Sequence, residues 1–171
     1  MKNWRVLGHK SDAFQSVNLR IQELPDVEVF APVLTILKPR KDRPSTYKTT
    51  RQLFVGYIFV RFDPEVVHTT SITRLNGAHK FVSFSDEPYV LPDMVIQDIK
   101  SVLLIKSDRL NSSFECFNTS SDFMRSLSII SDLRYESERQ ARFYEMLKHE
   151  YLRSTRLSNS NTHIYSSVDN I

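Results

Sequence analysis

The chain has 171 residues, 40% apolar and 25% charged, with a formal charge of +3, the size and mixture of one ordinary soluble domain with an appendage. A chain of that length buries roughly 68–70% of its unfolded surface, so a core without disulfides is expected, and the single thiol, Cys116, excludes an internal disulfide or a zinc centre and points to a reducing compartment. Apolar runs such as Val102-Leu103-Leu104-Ile105 fall far short of the ~18 residues of a membrane span, and no apolar run follows the basic start, so no membrane association and a cytoplasmic location are expected.

In chain order, Trp4 to Leu7 reads as a strand. Phe14, Val17, Leu19, Ile21 and Leu24 recur at helical spacing, with Ser11 and Asp12 as expected caps. Val27 to Leu37 reads as a second strand. Lys38-Pro39-Arg40-Lys41-Asp42-Arg43-Pro44 then forms a hairpin or loop carried away from the core. Leu53 to Phe62 is a third strand. Asp63-Pro64-Glu65 opens a short helix to about Leu75, with aspartate as N-cap and proline at the first helical position. Asn76-Gly77 turns the chain into a strand over Lys80 to Phe84, and Leu91-Pro92-Asp93 opens a helix through Lys100. This order predicts an α+β sandwich, an antiparallel sheet with flanking helices, over residues 1–100.

The remaining residues differ in kind. No glycine or proline follows Pro92, which argues against a small β-barrel with tight turns. Phe123, Leu127, Ile130 and Leu133, then Phe143, Met146, Leu147 and Tyr151, keep a helical period. The expected division is a domain over 1–100, a linker over 101–120, a helical segment over 121–156 and a flexible polar tail over 157–171.

The net positive charge lies entirely in residues 1–100, which hold 14 Lys and Arg against 11 Asp and Glu. Lys38, Arg40, Lys41, Arg43, Lys48 and Arg51 sit together with only Asp42 opposing them, a pattern suited to phosphate contact or, more simply, to a solvated loop. Catalysis finds no support. Three glycines cannot build a phosphate loop, the five histidines are scattered, and no nucleophile or metal motif occurs, so neither enzymatic activity nor a cofactor is expected.

The informative stretch is Leu53-Phe54-Val55-Gly56-Tyr57-Ile58-Phe59-Val60-Arg61-Phe62. Alternation puts Tyr57, Phe59 and Arg61 on one face and Ile58, Val60 and Phe62 on the other, so both faces are largely apolar. One face packs on helices. The other needs either a partner or a cover from residues 101–171. A strand of exposed rings also resembles the RNA-recognition motif, which implies single-stranded RNA binding by base stacking, although Val55 and Ile58 stand where that motif has a basic and a small residue.

A closer resemblance is to the N-terminal domain of the NusG family of transcription elongation factors. It rests on Trp4-Arg5-Val6-Leu7, Val29-Phe30-Ala31-Pro32, Leu53 to Val60, and Asn76-Gly77 before Phe81-Val82-Ser83-Phe84, and spans residues 2 to about 100. Phe62-Asp63-Pro64-Glu65-Val66-Val67-His68-Thr69-Thr70 is most similar to the specialised RfaH branch of that family. The resemblance implies a non-enzymatic antitermination factor. Phe54, Tyr57, Phe59 and Phe84 would form the apolar patch for the β′ clamp helices of bacterial RNA polymerase. His68, Thr69 and Thr70 would hold the β gate loop, and bridging the two would keep the clamp closed against pausing and termination. Contacts to the non-template DNA strand would come from Lys10, Arg20, Ser71, Thr73 and Arg74, with Lys41 and Arg43 of the basic run added.

The family carries a KOW domain at its C-terminus, a small glycine-turned barrel that recruits ribosomal protein S10 or Rho, and which in RfaH also refolds as a helical hairpin over the polymerase-binding patch. This sequence lacks those glycines. A permanently helical segment is therefore expected, with Phe123, Leu127, Ile130, Phe143 and Met146 able to cover the aromatic strand. Contact with ribosomal protein S10 is not expected, and the protein is expected to be a monomer. A third reading is an adaptor that binds only protein through its helical segment.

Overall fold

The computed structural model describes residues 1–101, 103–107, 114–115 and 121–160, with side chains placed for 1–100 and 125–156. Strand β1 (Asn3–His9) runs through the middle of the main sheet, antiparallel to β5 (Tyr57–Phe62), with Asn3 opposite Phe62 and Gly8 opposite Tyr57. Strand β2 (Glu28–Phe30) pairs the outer edge of β5. Strands β6 (Ala78–Phe81) and β7 (Val90–Leu91) pair successive halves of β1 on its other side. The fold is α+β, as expected.

Several boundaries differ from the sequence expectation for local reasons. Ser11 and Asp12 do not cap a helix: with Ala13 they form a 3-10 turn before α1 (Phe14–Gln22), and neither helical start has a side-chain cap. A cap must stand outside the helical backbone, and these two residues have joined it. The single strand expected over 27–37 is broken at Pro32, which has no amide to donate and disfavours a continued ladder. Strand β3 (Val33–Pro39) starts a second sheet with β4 (Thr46–Gln52), so the basic run sits on a β-hairpin. The expected linker also holds structure. Strand β8 (Leu103–Ser107) pairs parallel to β3, and β9 (Phe114–Glu115) pairs β8.

Leu53 to Gly56 form a turn rather than strand, closed by the Tyr57 amide donating to the Phe54 carbonyl at 3.2 Å, with Gly56 at φ 78°. Asp63 does not start a helix. Its carbonyl accepts from the Val66 and Val67 amides in a tight turn, and α2 (Thr69–Thr73) begins only after His68. The strand expected over 80–84 lies earlier, at β6, because Gly77 at φ 88° completes the turn at once and the Ala78 amide bonds back to Leu75. Helix α3 (Asp93–Ser101) lies where expected.

Helices also form the C-terminal segment, α4 (Ser121–Asp132) and α5 (Glu136–Ser160). Helix α5 continues into the stretch expected as tail, of which residues 161–171 lie outside the described residues. The strand alternation of β1 and β5 divides the core in two. Leu7, Ile58, Val60 and Phe62 pack with Val17 and Ile21 of α1 and Ile72 of α2. On the opposite face Trp4, Val6 and Phe59 pack with Val95, Ile96 and Ile99 of α3 and with Leu127, Ile130, Phe143, Met146 and Leu147 of the C-terminal helices. Both faces of the sheet thus carry helices.

Candidate functional site

The face bearing Phe59 is sealed by the helical pair. Phe143 of α5, itself fully buried, stacks on Phe54 with ring centroids 4.0 Å apart and 21° between planes. It also meets Tyr57 at 5.0 Å and Phe59 edge-on at 5.8 Å. Phe84 lies against Tyr144 at 5.3 Å and stacks on Tyr151 at 5.2 Å. The four predicted patch residues Phe54, Tyr57, Phe59 and Phe84 therefore come together, and all four touch α5. Of the predicted cover, Leu127, Ile130, Phe143 and Met146 are buried in this cluster, whereas the Phe123 side chain lies outside the described residues. Burying a ring such as Phe143 contributes about 1.5–3 kcal/mol, so the cover is a substantial part of the folded state. The same burial pushes the Tyr57 and Tyr89 phenols up from their usual value of 10.0.

Polar contacts at the seam were not legible as such in the sequence. Arg51, counted there only as one charge of the basic run, donates through Nη2 to the Ser131 carbonyl at 2.7 Å. Arg139, 3% exposed, donates through Nη1 to the carbonyls of Leu133 and Arg134 at 3.2 Å each. Gly56 leaves room for Gln140, whose Nε2 would lie 2.5 Å from a Cβ added there. His9, Tyr57, Ser83, Gln140 and Tyr144 line one groove, and the His9 ring lies against Phe14 of α1 at 5.7 Å. His9 Nδ1 lies 2.7 Å from the Lys10 carbonyl, which only accepts, so Nδ1 is the protonated nitrogen and donates to it. Burial, with His79 adding to it, holds the His9 imidazole below its ordinary value of 6.5.

The other predicted group stands open. His68 is exposed and takes the N-cap position of α2, its Nδ1 accepting the Thr70 amide at 3.3 Å and lying 2.8 Å from the Thr70 hydroxyl. Thr69 is half-buried and Thr70 exposed. Because Ile72 of α2 packs in the core cluster under Ile58 and Phe62, His68, Thr69 and Thr70 belong to the sheet face opposite the aromatic patch.

The predicted DNA contacts fall in two places. Lys10 bonds through its amide to the Gly77 carbonyl at 2.9 Å, which ties the end of β1 to the turn after α2. Ser71 and Thr73 lie on α2, and Arg74 is its C-cap. A Cβ on Gly77 would come within 2.3 Å of the Ala13 Cβ and 3.3 Å of Val17, so this turn packs directly on the start of α1, whose last turn carries Arg20. Arg20 reaches Glu23 at 3.7 Å. Lys41 and Arg43 stand apart from these, exposed at the tip of the β3–β4 hairpin, where Arg43 lies 3.3 Å from Asp42.

Among the described residues, no cluster of three or more His, Cys, Asp or Glu could hold a metal ion, and no helix is long and apolar enough to cross a membrane. The arrangement comprises a sealed aromatic face, an open polar turn on the opposite face, and exposed cations. A family model described as NusG, transcription termination factor nusG, matches residues 2–100, which contain every one of these predicted docking residues. That match spans more than half of the chain, and the protein belongs to the NusG family of transcription factors.

Proposed function

We propose that the protein is an RfaH-like antitermination factor that bridges the β′ clamp helices and the β gate loop of bacterial RNA polymerase and suppresses pausing and termination. The observation that supports this most is the disposition of two docking groups on opposite faces of one sheet. Phe54, Tyr57, Phe59 and Phe84 offer an apolar surface on one side, and His68, Thr69 and Thr70 offer exposed polar groups on the other. A rigid sheet with a partner surface on each face is suited to spanning a cleft. Factors of this family generally bind RNA polymerase, which favours the same reading.

The aromatic group is closed in this conformation. Polymerase binding through it requires α4 and α5 to leave, so the helical pair acts as a lid, and ligand binding is weakened by the fraction of molecules that are closed. Lys10, Arg20, Ser71, Thr73 and Arg74 would touch the non-template strand beside the open turn, with Lys41 and Arg43 reaching phosphate from the hairpin tip. An RNA-recognition reading asks for a basic and a small residue where Val55 and Ile58 stand, and base stacking gives the exposed His68 and Thr70 no role.

The test is binding of the full chain to bacterial core RNA polymerase, compared with Phe143→Ala and with Phe143→Ala carrying His68→Ala. Tighter binding by Phe143→Ala, lost again in the double variant, is the expected result. Absence of polymerase binding by all three, together with tight binding to single-stranded RNA, would overturn it.

A further inference from the structure

The contacts that close the helical pair are of two kinds, apolar and polar, and one group of the polar contacts gathers at the end of α4. Ser131, Leu133 and Arg134 surround the C-terminal end of α4, where helical carbonyls have no partner within the helix. Two guanidinium groups converge there. Arg139, from the start of α5, takes the Leu133 and Arg134 carbonyls and so closes the α4–α5 turn on itself. Arg51, from β4, takes the Ser131 carbonyl across 80 residues of sequence. Arg51 is therefore a cation from the N-terminal domain placed on the negative end of a lid helix, a favourable arrangement for charge and dipole.

We infer that Arg51 is a latch that holds the lid closed by capping the C-terminal end of α4. The acceptor is a main-chain carbonyl, so the latch reads the helical conformation of α4, with the Asp132 charge at the same helix end adding attraction. If α4 unwinds or moves by one turn, the carbonyl no longer points at β4 and the contact is lost as a unit. The site is not an ordinary surface contact. Burial depresses the Arg51 pKa, the neighbouring Arg139 charge adds to that, and the Asp132 charge opposes it. Among the described residues Arg51 Nε, itself buried, has no hydrogen-bond partner, so the half-buried guanidinium is held at this seam by its Nη2 bond to the Ser131 carbonyl and by the Asp132 charge. Arg51 also stands at the base of the basic β-hairpin, so the latch joins that hairpin to the lid.

This inference rests on the lid described above, and its test needs no polymerase. Amide hydrogen exchange is measured on the free full-length protein and on Arg51→Ala, Arg51→Gln and Arg51→Lys. Loss of a charge-assisted hydrogen bond is expected to speed exchange in α4 and the first turns of α5 by roughly tenfold or more in the Ala and Gln variants. Arg51→Lys restores part of the protection, because an ammonium still donates. Exchange in β1 and β5 stays as in the parent. Unchanged exchange in α4 would overturn the latch, and so would equal acceleration in β1, β5 and α4, which would make Arg51 a general stabiliser of the fold. Since the readout is the free protein, a failure of polymerase binding leaves it standing, and a failure of the latch leaves polymerase binding standing.

Discussion

The two faces of the central sheet carry the same predicted purpose in opposite states. On the Phe59 face, seven aromatic rings from the domain and the helical pair close on one another in two groups, Phe54, Tyr57 and Phe59 around Phe143 and Tyr144 and Tyr151 around Phe84. On the α2 face, His68 and Thr70 satisfy one another and leave their outer surfaces in water. Apolar recognition surfaces need covering until they are used, because exposed contiguous apolar area is a liability. Polar ones do not. The helical pair covers the apolar face and leaves the polar one open, and under the proposed function this difference predicts that substitutions on the two faces will separate stability from binding.

The largest effect should come from Phe143→Ala. Truncating a buried phenylalanine costs about 3–5 kcal/mol. That loss falls on the lid, since all three rings that Phe143 meets belong to the domain beneath it. Denaturant unfolding followed by Trp4 fluorescence for the domain and by helical circular dichroism for the lid is expected to split into two transitions, with the helical one at lower denaturant. A single transition shifted as a whole would mean that lid and domain form one cooperative unit, and would erase the contrast between the faces.

How far these features could be read in advance depended on range. The alternation of Tyr57, Phe59 and Arg61 with Ile58, Val60 and Phe62 is local, and the two core clusters follow it. The helical period of residues 121 onward is local too, and it identified Leu127, Ile130, Phe143 and Met146 as the cover. Pro32 carried a signal that strand 27–37 would break, but the apolar run around it outweighed it. Asp63-Pro64 looked like a helix start because it satisfies the general preference, yet the helix waits for His68, whose ring performs the same capping task. Strand β8 was visible only as an apolar run too short for a membrane, because parallel pairing with β3 depends on chain far away. Arg51 and His9 show the limit. Nothing near Arg51 in sequence indicates that a carbonyl 80 residues later will receive it, and nothing near His9 indicates that Gln140 and Tyr144 will line the same groove.

A smaller effect, and one that belongs to the face opposite the helical pair, where the His9 ring lies against Phe14 of α1 at 5.7 Å, is expected with pH. The His9 pKa is lowered in the folded state, chiefly by burial. The unfolded chain therefore takes up a proton more readily, and folding stability is present above about 6.5 and falls as pH drops through that value toward the folded pKa. Denaturant midpoints measured at successive pH values should decline in this window, and the decline should shrink in His9→Gln. An unaltered decline in that variant would assign the effect to other groups.

The smallest stability change should come from His68→Ala, and it sharpens the comparison most. The ring caps a helix of only five residues, so its loss costs about 0.5–1 kcal/mol. Because Phe59 and Phe143 lie on the other face, hydrogen exchange in α4 and α5 should be unaffected. Under the proposed function, polymerase binding by a lid-weakened chain should nonetheless fall. Thr70→Val separates two explanations of that fall. It removes the hydroxyl 2.8 Å from the ring but keeps the amide that the ring caps. If Thr70→Val impairs binding while α2 keeps its protection from exchange, the exposed hydroxyl itself contacts the partner. If binding falls only when α2 loses protection, the His68–Thr70 pair acts by holding the turn in shape, and the open face is then a structural element like the sealed one.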